Sequence, residues 1–236
     1  MLFGVIQTIM RGGQISFQAV LMQIFALLLV IFLVLPLHEG AHALVSSLLG
    51  DKGVKYRGRL TINPVSHIDP MGALCLILFG FGWAKPVPVD PRYYKNPKVG
   101  MAITALAGPL SNILAAFVGL LIYTFIVGFV PLEFLFSEAL GYISVFFQYF
   151  VILNISLAVF NLIPVPPLDG SKILFAFLPD RIIYQINRYQ QYYVIAIFVL
   201  LWVGVLDVPL DFLSNSIYML LNNASEFIVG LFTTRF

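Results

Sequence analysis

His38-Glu39-Gly40-Ala41-His42 places two imidazoles four residues apart around a carboxylate. On a helix, residues at that spacing leave nearly the same face, so both rings can converge on one metal ion. Glu39 stands beside them, placed to take a proton from an attacking water rather than to bind the metal. Metal-assisted hydrolysis is the chemistry this pattern serves; the plainer alternative is a pair of polar residues bonding a neighbouring helix. A catalytic metal usually has three protein ligands and an open position, so a third ligand must come from elsewhere. His67 is the one remaining histidine, and carboxylates distant in sequence are the other candidates. Cys75 lies in an apolar segment with no histidine nearby, which argues against a thiol nucleophile.

The elements that must position these residues are membrane helices. Of 236 residues, 60% are hydrophobic and 10% charged, and mean hydropathy is +0.96. So few charges cannot cover a water-facing surface, and disorder needs the opposite composition. The net charge of +2 excludes a nucleic-acid partner, and a single cysteine excludes a disulfide scaffold or a multi-cysteine metal site. A bilayer core takes about 20 apolar residues per helix. Five stretches qualify: 19–37, which continues past His38 and Glu39 to Gly50, then 101–130, 141–163, 192–206 and 212–232. The histidines thus fall inside a membrane helix, where ionisable groups are costly and functional by default. Residues 71–84 are apolar but short and broken by glycines, which reads as re-entrant. Residues 51–61 alternate in a weakly hairpin-like way, and residues 1–16 read as an interfacial lead-in.

Charge sets the orientation. Eight Lys and Arg lie between the first span and residue 101, and none in 131–140. Basic residues mark cytoplasmic loops, giving five crossings with the N-terminus outside and the C-terminus inside. His38 and His42 then lie toward the cytoplasmic end of their helix, with Glu133, Glu138, Asp207 and Asp211 on the opposite face. Asp169 is on the correct side, in Asn161-Leu-Ile-Pro-Val-Pro-Pro-Leu-Asp-Gly170. Three prolines there forbid a regular helix, and Gly170 suits a tight turn. A turn that merely ends the span is the alternative reading of Asp169-Gly170.

His38–His42 in a membrane helix, the Asn161–Gly170 segment and Ala107-Gly-Pro-Leu-Ser-Asn112 together resemble the site-2 protease family of intramembrane zinc metalloproteases. The three motifs occur in that family's order over about residues 30–175. The resemblance implies that His38, His42 and Asp169 hold one zinc ion (Zn2+), with Glu39 as general base and acid. It places Asn112 near the active site, holding substrate or an oxyanion, and makes residues 51–70 the counterpart of the family's membrane-entering β-segment. Many relatives carry PDZ or CBS modules, for which this chain has no room. The expected architecture is an all-α polytopic membrane protein of about five transmembrane helices plus a short re-entrant or β-like segment on the cytoplasmic side. It forms one domain over 1–236, with C-terminal helices in 176–236. The expected function is zinc-dependent endoproteolysis within or next to the transmembrane segments of membrane-protein substrates. A strand from residues 51–65 would hold the opened substrate. His67, with Asp69, is expected to bind substrate or to gate its entry from the cytoplasmic side. The expected partners are a membrane-protein substrate and the lipid bilayer, in a prokaryotic plasma membrane with the active site toward the cytoplasm. A metal transporter would need ligands along a path through the membrane, whereas these concentrate at one depth; a non-catalytic relative would not need intact motifs.

Overall fold

The computed structural model describes residues 17–79 and 82–233; the lead-in expected over 1–16 lies outside them. The first helix, α1 (Phe17–Leu48), is unbroken through the motif. Its 32 residues extend about 48 Å, well beyond a bilayer core. A widened π-helical stretch, Val30–Val34, lies just before the buried Pro36. Pro36 cannot donate to the carbonyl four residues back, and the extra residue of the π turn absorbs that mismatch.

Two short helices follow, α2 (Gly53–Tyr56) and α3 (Pro64–His67), then α4 (Pro70–Phe79). The hairpin expected over 51–61 does not form, so no strand is present there to hold a substrate. Asp51 captures the Gly53 N–H and starts a helical turn instead, and Val54 is buried against Ala43 and Val87. One isolated antiparallel bridge joins Ile68 to Ala84, and the Lys85 N–H reaches the His67 carbonyl at 2.7 Å. The chain therefore leaves along α4 and returns beside its own starting point. At about 15 Å, α4 is half a bilayer long.

The remaining long helices are α5 (Pro97–Phe129) and α6 (Glu138–Asn161). Irregular backbone then leads to α7 (Asp169–Phe175), α8 (Asp180–Arg188), α9 (Gln190–Val203) and α10 (Asp207–Gly230). Helices α1, α5 and α6 are long and apolar enough to cross a membrane; α9 and α10, bent by 84° at their break, add a fourth span if the pair counts as one. Five separate crossings were expected, but α9 alone has 14 residues, too few for a perpendicular crossing. Small residues let α1, α5 and α6 approach closely: Ala26 and Ala116 are fully buried, and Gly119 faces the Phe150 ring. Thr124 and Ser225 share a hydrogen bond of 3.1 Å where α10 crosses α5.

Candidate active site

Three helices bring the metal-ligating types together. His38 and His42, one turn apart on α1, present their Nε2 atoms 3.2 Å from each other. Asp169, the first residue of α7, sets its Oδ2 at 3.3 Å from the first and 3.1 Å from the second. All three residues are buried. Helix α5 supplies the third wall and fixes the rings. Its Thr104 carbonyl lies 2.7 Å from His42 Nδ1, and Asn112 Oδ1 lies 3.3 Å from His38 Nδ1. Both partners are acceptors, so each Nδ1 carries the hydrogen and each Nε2 is turned inward with its lone pair.

Two lone pairs and a carboxylate oxygen facing one another repel unless a cation lies between them. Tetrahedral zinc with bonds of about 2.0–2.1 Å has ligand–ligand edges of about 3.3 Å, close to the three edges observed. The space is kept open by Gly108: a Cβ there would stand 2.4 Å from His42 Nε2 and 2.5 Å from His38 Nε2. The donor set therefore fits a zinc ion. On its outer side Asp169 Oδ1 accepts from Lys172 Nζ at 3.0 Å.

Glu39 lies on the cavity side of α1, 8% exposed, and its Oε2 accepts the Val87 N–H at 2.9 Å. The cavity has a volume of about 460 Å³ and is lined by His38, Glu39, His42, Asp169 and Lys172 together with apolar residues such as Leu35, Val87 and Phe198. Gly170 does not serve a tight turn. It sits in the first turn of α7, where a Cβ would stand 2.1 Å from the Leu162 carbonyl oxygen. Glycine here allows α7 to dock against the end of α6 and so sets the height of Asp169.

Two expected residues do not line the cavity, though Asn112 lies beside the site. Asn112 stands behind His38 rather than among the cavity-lining residues. His67 is fully buried with its Nε2 2.8 Å from the Thr61 carbonyl, and it does not line the cavity. Sequence reasoning named Gly108 only as part of a motif and passed over Lys172, the Thr104 carbonyl and the Val87 amide. Backbone groups leave no residue-type signal; Lys172, three residues after Asp169 on one helix face, did leave one.

Comparison with known proteins places these observations in a lineage. The model of peptidase family M50 matches residues 137–204. "Putative zinc metalloprotease YwhC" of Bacillus subtilis is 35% identical over 200 residues, 85% of this chain and 87% of that protein. "Putative zinc metalloprotease Rip2" of Mycolicibacterium smegmatis is 30% identical over 145 residues, 59% of this chain and 52% of its own. No solved structure matches the chain. The similarity to the Bacillus protein runs along most of both chains, and the family model covers the very segment that carries Asp169: this protein belongs to peptidase family M50, the site-2 protease family.

Proposed function

We propose that this protein is a zinc-dependent endopeptidase that cuts peptide bonds within or beside the transmembrane segments of other membrane proteins. The observation that carries this reading is the triangle of His38 Nε2, His42 Nε2 and Asp169 Oδ2, with edges of 3.1–3.3 Å, opening on a largely apolar cavity. These three residues would hold the zinc. When bound, the ion polarises the scissile carbonyl and acidifies a water. Glu39 takes the proton of the attacking water and returns it to the leaving amine. Asn112 and the Thr104 carbonyl keep the imidazoles in the tautomer that offers Nε2. A substrate helix must unwind to expose its carbonyls, and the cavity walls exclude bulk water around the opened segment.

The membrane setting is part of the same proposal. The described residues form one domain whose crossings are α1, α5, α6 and the bent α9–α10 pair, and α4 is re-entrant on the cytoplasmic side. The paired ends of the 68–84 segment support that reading, as does the placement of basic residues. The active site then faces the cytoplasm of a prokaryotic cell, in keeping with the Bacillus relative.

Zinc per chain, measured on purified wild type, Glu39→Gln and Asp169→Ala, tests the reading without a known substrate. Wild type and Glu39→Gln should each hold one ion, and Asp169→Ala should lose it or bind it far more weakly. Equal zinc in wild type and Asp169→Ala would defeat the ligand assignment; a folded wild type that takes up no zinc would defeat the protease reading.

A further inference from the structure

Proline decides what residues 85–90 can do. Their sequence is Lys85-Pro86-Val87-Pro88-Val89-Asp90. Lys85 and Val87 each precede a proline, which favours extended backbone, and neither proline has an N–H to donate. Between Pro86 and Pro88 the Val87 amide is thus the only backbone donor, and it is spent on Glu39 Oε2 at 2.9 Å. Among the described residues this is the hydrogen bond that Glu39 makes to the protein, and its other oxygen, Oε1, is left for the cavity that the residue lines.

The segment carrying that amide is pinned along its length. Arg59 Nη2 donates to the Lys85 and Pro86 carbonyls at 3.0 and 2.6 Å, and Arg57 Nη2 to the Pro88 carbonyl at 2.8 Å. At the far end Asp51, fully buried, accepts the Asp90 N–H at 2.9 Å and also receives Arg57 and Ser46 Oγ at 3.3 and 3.4 Å. Ser46 lies one turn beyond His42 on α1. The segment and Glu39 are therefore anchored to the same helix. Two arginine side chains and a buried carboxylate converge here on backbone that makes no regular structure, where a surface loop would need none of them.

We infer that the Val87 backbone amide is a positioning group for Glu39: it holds Oε2 so that Oε1 meets the water, while Asp51, Arg57 and Arg59 clamp the amide in place. This rests on Glu39 being the base. A carboxylate with one oxygen tied has its plane and rotamer fixed before substrate arrives, which is where such a bond contributes to rate rather than to binding.

The test uses the full chain in lipid nanodiscs, loaded with zinc. Val87→Pro deletes the N–H in backbone that prolines already keep extended; Val87→Ala keeps the N–H and deletes the packing. In valine labelled with nitrogen-15, the Val87 amide resonance should move on Glu39→Gln whether or not any substrate is at hand, and an unmoved resonance overturns the contact. For turnover the probe is an internally quenched peptide of about 20 apolar residues with lysine flanks, one that wild type cuts. Val87→Pro should lower kcat about 10- to 100-fold, as loss of an orienting partner does, with KM and zinc content held. Val87→Ala should keep most of kcat while KM rises. Wild-type kcat in Val87→Pro, or an equal loss in both variants, overturns the proposal while the base assignment stands. Cleavage by Glu39→Gln at the wild-type rate overturns the base assignment and the proposal with it. Should Val87→Pro fail to hold zinc, Arg59→Ala replaces it, with the same split between kcat and KM expected.

Discussion

His38 and His42 are each held from behind as well as aimed from the front. Asn112 Oδ1 and the Thr104 carbonyl select the Nδ1–H tautomer, and the ligating nitrogen follows from that choice. Asn112→Ala should therefore weaken zinc about 10- to 100-fold, which competition with a chromogenic chelator would measure; unchanged affinity would mean that His38 needs no such partner. Gly108→Ala is the harsher change, because its new methyl group would collide with both Nε2 atoms. The variant should lose zinc while circular dichroism stays that of wild type, since alanine favours the helix. At this scale the sequence was most legible where residue type carries the chemistry. His38, Glu39 and His42 announce themselves by type and spacing, and Asp169 by its side of the membrane and the motif resemblance, whereas the Val87 amide and the Thr104 carbonyl are backbone atoms and leave no such mark. His67 had the right type but the wrong setting: its Nε2 serves the Thr61 carbonyl.

Helices α1, α5 and α6 were legible from apolar length, and their ends fall within a few residues of the stretches read from sequence. Residues 51–61 were not, because an alternation of three apolar residues is weaker than one buried aspartate capping a turn. Nor could composition reveal how α7 meets α6. That junction depends on Gly170, whose missing Cβ lets the helix rest on the Leu162 and Ile163 carbonyls. Gly170→Ala should push α7 outward and weaken zinc with all three ligands still present. The backbone oxygens cannot move aside as a side chain would. Zinc titration of this variant beside Asp169→Ala separates a displaced ligand from a missing one; wild-type affinity in Gly170→Ala would show that α7 tolerates the shift.

For the whole molecule, charge placement gives a topology that can be labelled. In a chain first freed of Cys75, cysteines introduced at Lys95 and Phe136 should react with a membrane-impermeant maleimide from opposite sides. The first should react only in inverted vesicles and the second only in intact cells. Labelling of both from one side would remove a crossing from the scheme. The proposed zinc ligands also lie far apart along the chain, with His42 and Asp169 127 positions apart. An ion bound by both is a reversible crosslink closing a long loop, and its occupancy is linked to folding. At a free zinc concentration 100 times the dissociation constant it adds about 2.7 kcal/mol to stability. Melting temperature should therefore climb with zinc and fall under chelation in wild type and Glu39→Gln, yet stay flat in Asp169→Ala. A cell short of zinc would then hold a protease that is not only idle but easier to unfold and clear.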